Sequence, residues 1–538
     1  MRKWSRYLVG VVAVTGLFVL VTHAGAETCT LEMKRVDASA RTSPSGQSGD
    51  FLARSTYPQS FFQQLGGPPG MIVGPSSGSK LKFSDVIKKE PAEYVTDTPF
   101  RGVAALGSQH YGFVLDVAPP EKDEKEDEKE DEGKDTEDDK EAGEKEESGG
   151  SLLSRLSKAL VSPSPSQPKS KAVSYTRLYF DRNHNGDLTD DEAIEATSSR
   201  AYSTSMTRSA FPTVELTIDV DGKKLDYAFT FSVYSNVSSS LAYANASLNS
   251  AAYREGEITL DGKKRRIVLI DFNSNGRFDD AASVDERVRT SSGTVYPTMG
   301  DMLYIDPQSS RTYRNPYDAT SGGDQYQVGK LIGIGGRFFD LKIDPSGDTL
   351  SLEPSSVPVG HVTNPNKGFR ATVYGDQGML QIAPDDSGKA PLPVGEWKLL
   401  SYTIERTDTS KPDSEAEKKD EEKSILEVLG SVLTTVTPPP QPPRLTFVSA
   451  RATRDFKPVK VVKGETAEMR FGPPYKPEVS APTIPEGQSS ISLSMSLVGC
   501  GGEVCNSLRV NGSQPSAPEF TISTKDGEEV AAGKFKYG

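Results

Sequence analysis

Two stretches of the chain set oxygen-bearing side chains at alternate positions around a glycine. The first is Asp181-Arg-Asn183-His-Asn185-Gly186-Asp187-Leu188-Thr189-Asp-Asp-Glu192. The second is Asp271-Phe-Asn273-Ser-Asn275-Gly276-Arg277-Phe278-Asp279-Asp280. Alternate residues in a tight loop can aim their oxygens at one centre. Calcium wants about 6 to 8 hard oxygens at roughly 2.3–2.6 Å, which such a loop can offer. Glycine at the sixth position lets the backbone reverse. The seventh residue offers its carbonyl, so Asp187 and Arg277 can differ freely. Leu188 or Phe278 at the eighth position would anchor the loop to a core. Thr189 or Asp279 occupies the ninth. Glu192, at the twelfth, would close the first shell with both oxygens. The second stretch has Ala282 there, so its closing carboxylate has to come from Asp280, Asp285, Glu286 or a distant residue.

The first stretch resembles the calcium loops of EF-hands and dockerins. Asp181, Asn183, Asn185, Asp187, Thr189 and Glu192 match that pattern position by position, with Gly186 at the turn. The resemblance does not extend to flanking helices: a strand precedes the loop, and Ala193-Ile-Glu-Ala-Thr is a poor exit helix. It therefore implies a bound Ca²⁺ and no groove-opening sensor. In the second loop the candidate metal residues are Asp271, Asn273, Asn275, Arg277 and Asp279. The competing reading is a metal-free Asn/Asp/Gly turn, since these residues tolerate left-handed backbone. Asn at the third and fifth positions lowers the charge, so the expected dissociation constant is roughly 10⁻⁴ to 10⁻³ M. A site of that strength is a structural staple rather than a switch.

Strands must hold these loops. Val214–Val220, then Asp221-Gly222, then Leu225–Phe231 alternates as a hairpin with a type I′ turn. Glu257–Leu260 and Arg266–Ile270 flank Asp261-Gly262 as a second hairpin, and Phe338–Ile343 and Thr349–Leu352 flank Pro345-Ser-Gly347 as a third. Gly and Pro make up about 16% of the residues, consistent with many turns. The expected class is mostly β: a multi-domain antiparallel-sheet and β-sandwich protein with disordered acidic and Pro-rich inserts. The two loops lie about 90 residues apart, each after a hairpin and a strand, which suggests an internal duplication.

The formal net charge is −13, from 62 Lys+Arg and 75 Asp+Glu. Residues 121–148 alone hold 17 acidic and 6 basic residues, so most of the charge is one local run. That run has almost no apolar residues and cannot offset the entropy of ordering. A second charged run covers 408–423. Each run precedes a short apolar segment (151–161 and 425–436) and then a Pro-rich stretch. Each segment is either a helix resting on its own domain or a partner-docking helix. Tyr111–Val117 and Ser174–Phe180 bracket the first insert, and Trp397–Ile404 and Arg444–Ser449 the second. Both inserts therefore read as overgrown turns between neighbouring strands.

Residues 1–26 read as a secretory signal, with Arg2, Lys3 and Arg6 before the apolar Leu8–Val21, and Ala24-Gly25-Ala26 as the cleavage site. Export to the periplasm or beyond predicts an oxidising compartment. Cys500 and Cys505, in Cys-Gly-Gly-Glu-Val-Cys, would then form a short structural disulfide, leaving Cys29 free or used between chains. No later stretch is long and apolar enough to span a bilayer. The acidic balance argues against a nucleic-acid partner.

No catalytic constellation stands out. Gly74-Pro-Ser76-Ser-Gly78 matches GxSxG without its strand and helix. Gly333-Ile-Gly335-Gly336 lacks the third spaced glycine of a dinucleotide loop. After cleavage only His110, His184 and His361 remain, none with an identifiable nucleophile.

The wider arrangement is similar to a group of uncharacterised exported bacterial proteins that pair strand-flanked DxNxNG loops with C-terminal β modules. The matching stretches are Tyr253–Gly262, Asp271–Asp280, Leu392-Pro-Val-Gly-Glu-Trp-Lys-Leu and Val461–Phe471. The last two resemble the carboxypeptidase-regulatory, transthyretin-like β-sandwich, which implies a fold and no activity. The expected organisation is a signal peptide (1–26), a β-rich calcium-loop domain (27–360, insert 119–172), a transthyretin-like sandwich (362–472, insert 408–443) and a small Ig-like module (473–538). The expected role is non-catalytic: structural support, or binding of a protein or polysaccharide, at the cell envelope. The alternative class is a carbohydrate-active or peptidase-associated enzyme with a carboxylate site.

Overall fold

The computed structural model describes residues 27–36, 56–66, 81–119, 172–238, 241–288, 290, 293–307, 324–408, 444–480 and 492–537. The signal-like segment, both charged runs with their apolar segments, and Gly74–Gly78 lie outside these residues. Among the described residues the protein is mostly β, with antiparallel sheets and one short helix, Phe83–Val86.

The hairpins follow from local turn chemistry. In Val214–Val220 the apolar side chains alternate inward, and the strand pairs with Lys223–Val237. Asp221 and Gly222 between them both have positive φ (52° and 89°), as a type I′ turn requires. Asp261 and Gly262 repeat this (53° and 71°) between Ala252–Leu260 and Lys263–Ile270. Gly335 and Gly336 form the turn between Leu331–Ile334 and Arg337–Ile343, so that glycine cluster is a hairpin tip.

The first core joins several sheets. One has the order Phe100–Leu106, Gln109–Asp116, Arg177–Phe180, Ile194–Glu195 and carries the first loop after Phe180. Another has the order Gln325–Gln327, Met302–Ile305, Lys263–Ile270, Ala252–Leu260, Glu32–Arg35 and carries the second loop after Ile270. Aromatic rings from different sheets meet edge to face: Phe61 and Phe113 at 4.8 Å, Phe113 and Phe231 at 4.9 Å. Each such pair adds about 0.5–1.5 kcal/mol beyond burial. Phe180 lies 5.0 Å from Phe229 and directly precedes Asp181, so core packing fixes where the first loop begins. Glu27–Thr30 pairs with Thr349–Pro354, which ties the two ends of this unit together.

Both inserts interrupt neighbouring antiparallel strands. Asp116 pairs with Arg177, and Asp408 with Arg444. A second core lies between a three-stranded sheet (Lys389–Pro393, Val359–Thr363, Thr466–Glu468) and an eight-stranded one, and encloses Trp397. The eight-stranded sheet runs on from Arg444–Arg451 into Val504–Arg509, Ser494–Val498 and Lys476–Ser480. The expected boundary at 472/473 therefore falls inside one continuous sheet. The expected Cys500–Cys505 bridge is not formed. Val498 pairs with Val504, which leaves Cys500 on the exposed turn while the Cys505 thiol points to the Ser507 carbonyl at 3.5 Å. Cys29 is a buried thiol, its pKa pushed up to about 11 by that burial.

Candidate metal centres

The two loops share one backbone path. The fourth residue is left-handed in both, His184 at φ 57° and Ser274 at φ 60°. So is the sixth, Gly186 at 78° and Gly276 at 77°. At Gly186 a Cβ would also meet the Val86 carbonyl oxygen at 2.9 Å, so glycine is required there for space as well as for φ.

Side chains repeat the correspondence. Asp181 accepts from the Asn185 amide with one carboxylate oxygen (3.0 Å) and from the Gly186 amide with the other (3.1 Å). Asp271 accepts from Asn275 (3.1 Å) and Gly276 (2.8 Å) in the same way. These bonds fix the aim of each carboxylate without neutralising its charge. Asn183 and Asn185 donate side-chain amide bonds to Asp190 at 3.3 and 2.7 Å. Asn273 and Asn275 do so to Asp280 at 3.0 and 2.7 Å. The carboxylate facing the two asparagines is thus the tenth residue in both loops. Glu192, at the twelfth position, is exposed.

A further carboxylate clasps the start of each loop. Asp191 accepts from the Arg182 amide at 3.2 Å. In the second loop that place is taken by Asp301, far along the chain. Asp301 accepts from the Phe272 amide with one oxygen and from the Asp280 amide with the other, both at 2.9 Å. Sequence spacing misses Asp190, Asp191 and Asp301 as loop partners; the only trace is that Asp190 and Asp280 occupy the same position. Of the other proposed closers, Asp285 pairs with Arg287, and Glu286 with Lys398 and Tyr374.

The side chains of the seventh and ninth residues pair with each other in both loops. Asp187 pairs with Lys89 at 2.7 Å and accepts from the Thr189 hydroxyl. Arg277 pairs with Asp279 and Asp221, each at 3.0 Å. Charge at position seven is reversed between the loops, yet both tie the loop to a distant segment. Backbone bonds do the same. The Gly186 carbonyl accepts from Lys88 at 2.8 Å, and the Asn275 carbonyl from Gly107 at 2.6 Å.

No protein-family model, curated protein or solved structure matches the chain.

Electrostatics separate the loops. The first is mostly exposed. Burial raises Asp181, with the Gly186 and Asn185 amides pulling the other way. Burial also takes Asp191 up to about 6, while the hydrogen bond from Lys89 holds Asp187 at about 2. The second loop is interior: Asp271 and Asp301 are both 0% exposed. Tyr227 donates its hydroxyl to Asp271 at 2.6 Å, and buried Gln59 donates to the Ser274 carbonyl at 2.7 Å. Burial pushes Asp271 up to about 7. Asp301 is raised well above the carboxylate range by burial, then by Asp271 and Asp280. Among the described residues, the hydrogen-bond donors that reach Asp271, Asp280 and Asp301 are amides and one hydroxyl, none of them cationic. Carboxylate and amide oxygens, without sulfur, form a donor set that suits a hard divalent cation.

Proposed function

We propose that the chain is an exported, non-catalytic β protein of the cell envelope whose main domain is stapled by two calcium ions. The observation that carries this reading is the duplicated loop. Two segments about 90 residues apart share the same left-handed positions, the same first-position carboxylate and the same tenth-position carboxylate facing two asparagines. Those carboxylates also hold the turn through hydrogen bonds from the loop's own amides, and together they gather negative charge at its centre. In the first loop Asp181, Asn183, Asn185, Asp190 and the carbonyl of Asp187 would hold the ion. In the second, Asp271, Asn273, Asn275, Asp280 and the carbonyl of Arg277 would do so, with Asp301 behind them. The ion would supply positive charge that the second loop's carboxylates otherwise lack.

The role that follows is support or binding rather than turnover. Asp271 and Asp301, neighbouring carboxylates, are fully buried and out of reach of a substrate. The test is thermal unfolding of the full chain in calcium and in chelator. At ten times the dissociation constant each ion stabilises by about 1.4 kcal/mol. A melting midpoint several degrees lower in chelator is expected; identical midpoints would refute the staple.

A further inference from the structure

The chain leaves the interior loop at Asp280 and comes back to it at Asp301. Asp280 faces Asn273 and Asn275, and Asp301 clasps the start of the loop. The same two residues close the excursion between them at its base. The Asp280 amide donates to the Asp301 carboxylate at 2.9 Å, and the Asp301 amide to the Asp280 carbonyl at 2.8 Å. A Cβ at Gly300 would collide with that carbonyl oxygen, so glycine permits the tight closure. Next to the base, Ser283–Val284 pairs with Pro297–Thr298.

Farther out, the excursion grips the sheets of the second core. Lys398 donates to both Glu286 carboxylate oxygens at 2.9 Å, and the Tyr374 hydroxyl donates to one of them at 2.9 Å. The Val295 amide donates to the Ala452 carbonyl at 3.0 Å, and the Arg454 amide to the Gly293 carbonyl at 3.1 Å. Between them Thr294 and Thr453 form an antiparallel bridge. The buried Arg451 guanidinium lies 4.6 Å from the Tyr296 ring. Beside these contacts a cavity of about 310 Å³ separates Ala282 and Val284 from Asp376 and Gln377. The grip is therefore a set of discrete bonds rather than continuous packing.

We propose that this excursion is a coupling arm, through which cation occupancy of the interior loop sets the stability of the second core. The inference rests on the calcium reading above. Asp280 and Asp301 bond to each other, so fixing the loop fixes both ends of the arm at once. No candidate ligand lies in the second core, so an effect there has to be transmitted. Coupling between two sites is reciprocal: loosening the grip must weaken ion binding by the factor that the ion strengthens the grip. Leu331 and Phe338 also pack into the second core and offer a competing route.

Trp397 reports on the second core. It is buried there, and Trp4 is the one other tryptophan. In the full chain carrying Trp4→Phe, calcium should raise the denaturant midpoint read by Trp397 emission. Lys398→Met should cut that rise by about half or more, as for groups that act through one contact. It should also weaken calcium uptake at the interior loop by about fivefold. Charge alone predicts the opposite, because removing a nearby cation favours calcium. Tyr374→Phe, which loses one hydroxyl and keeps the ring, should act in the same direction with a smaller effect. Two ions bound with the Trp397 midpoint unmoved would overturn the coupling and leave the staple standing. A rise kept in full by both variants would also overturn it, since Leu331 and Phe338 would then carry the effect. Absence of calcium uptake would overturn the coupling and the staple together.

Discussion

The two DxNxNG loops have the same backbone and opposite surroundings. The first sits on the rim, with Asn183, Asn185, Thr189 and Asp190 exposed. The second is threaded through the interior, with Asp271 and Asp301 sealed and the Tyr227 hydroxyl on Asp271. Local sequence sets the path of such a loop. The fold around it sets how much a cation there matters. Solvent can screen the first loop's carboxylates when no ion is bound. The second loop's carboxylates must either stay protonated or hold a cation, because burying an unpaired charge costs several kcal/mol.

The sharpest way to break this contrast is to remove the clasping carboxylate from each loop. Asp301→Ala leaves the Phe272 and Asp280 amides without their partner beside buried Asp271. It should cost about 3–5 kcal/mol in denaturant unfolding. Asp191→Ala, on the rim, should cost about 1 kcal/mol. Equal costs would erase the distinction between a buried and a peripheral site.

pH offers the next test. The folded-state pKa of Asp271 lies above its unfolded value, at about 7 against the ordinary 3.8. The folded state therefore binds the extra proton between those values. Its contribution to stability is fully present below about 4 and lost as pH rises through about 7. Chelated protein should thus lose stability between pH 4 and pH 7, read as a falling melting midpoint. With calcium bound the carboxylates must ionise, so the trend should reverse. A parallel trend in both conditions would show that no cation meets Asp271.

A smaller effect distinguishes the tenth residue from the twelfth. Asp190→Asn should weaken calcium binding at the first loop by about tenfold, since site charge tunes affinity. Glu192→Gln should change it by less than about twofold. The reverse ranking would mean that the twelfth residue swings in to close the shell.

Much of this was legible in sequence, and the limits have physical causes. Asp221-Gly222 and Asp261-Gly262 announce their hairpins because a type I′ turn needs positive φ twice. The DxNxNG spacing announces both loops because their bonds are local, reaching from the first residue to the fifth and sixth. Asp301 was invisible, because antiparallel pairing of Lys263–Ile270 with Met302–Ile305 brings it to the loop. Tyr227 arrives by long-range packing too. Arg277 looked like a neutral choice at position seven, yet its partner Asp221 lies 56 residues away. At position twelve the first loop departs from the pattern it resembles, which continues into a helix: this chain leaves Glu192 exposed and runs into the short strand Ile194–Glu195.

The central claim is that each loop holds one calcium ion and that the interior one governs the fold. Calorimetric calcium titration of the full chain, beside Asp181→Asn and Asp271→Asn, tests it most directly. Two ions per chain are expected, falling to one in each variant, with Asp271→Asn lowering the unfolding transition more than Asp181→Asn. No calcium uptake by the full chain, or uptake unaffected by both substitutions, would contradict the account.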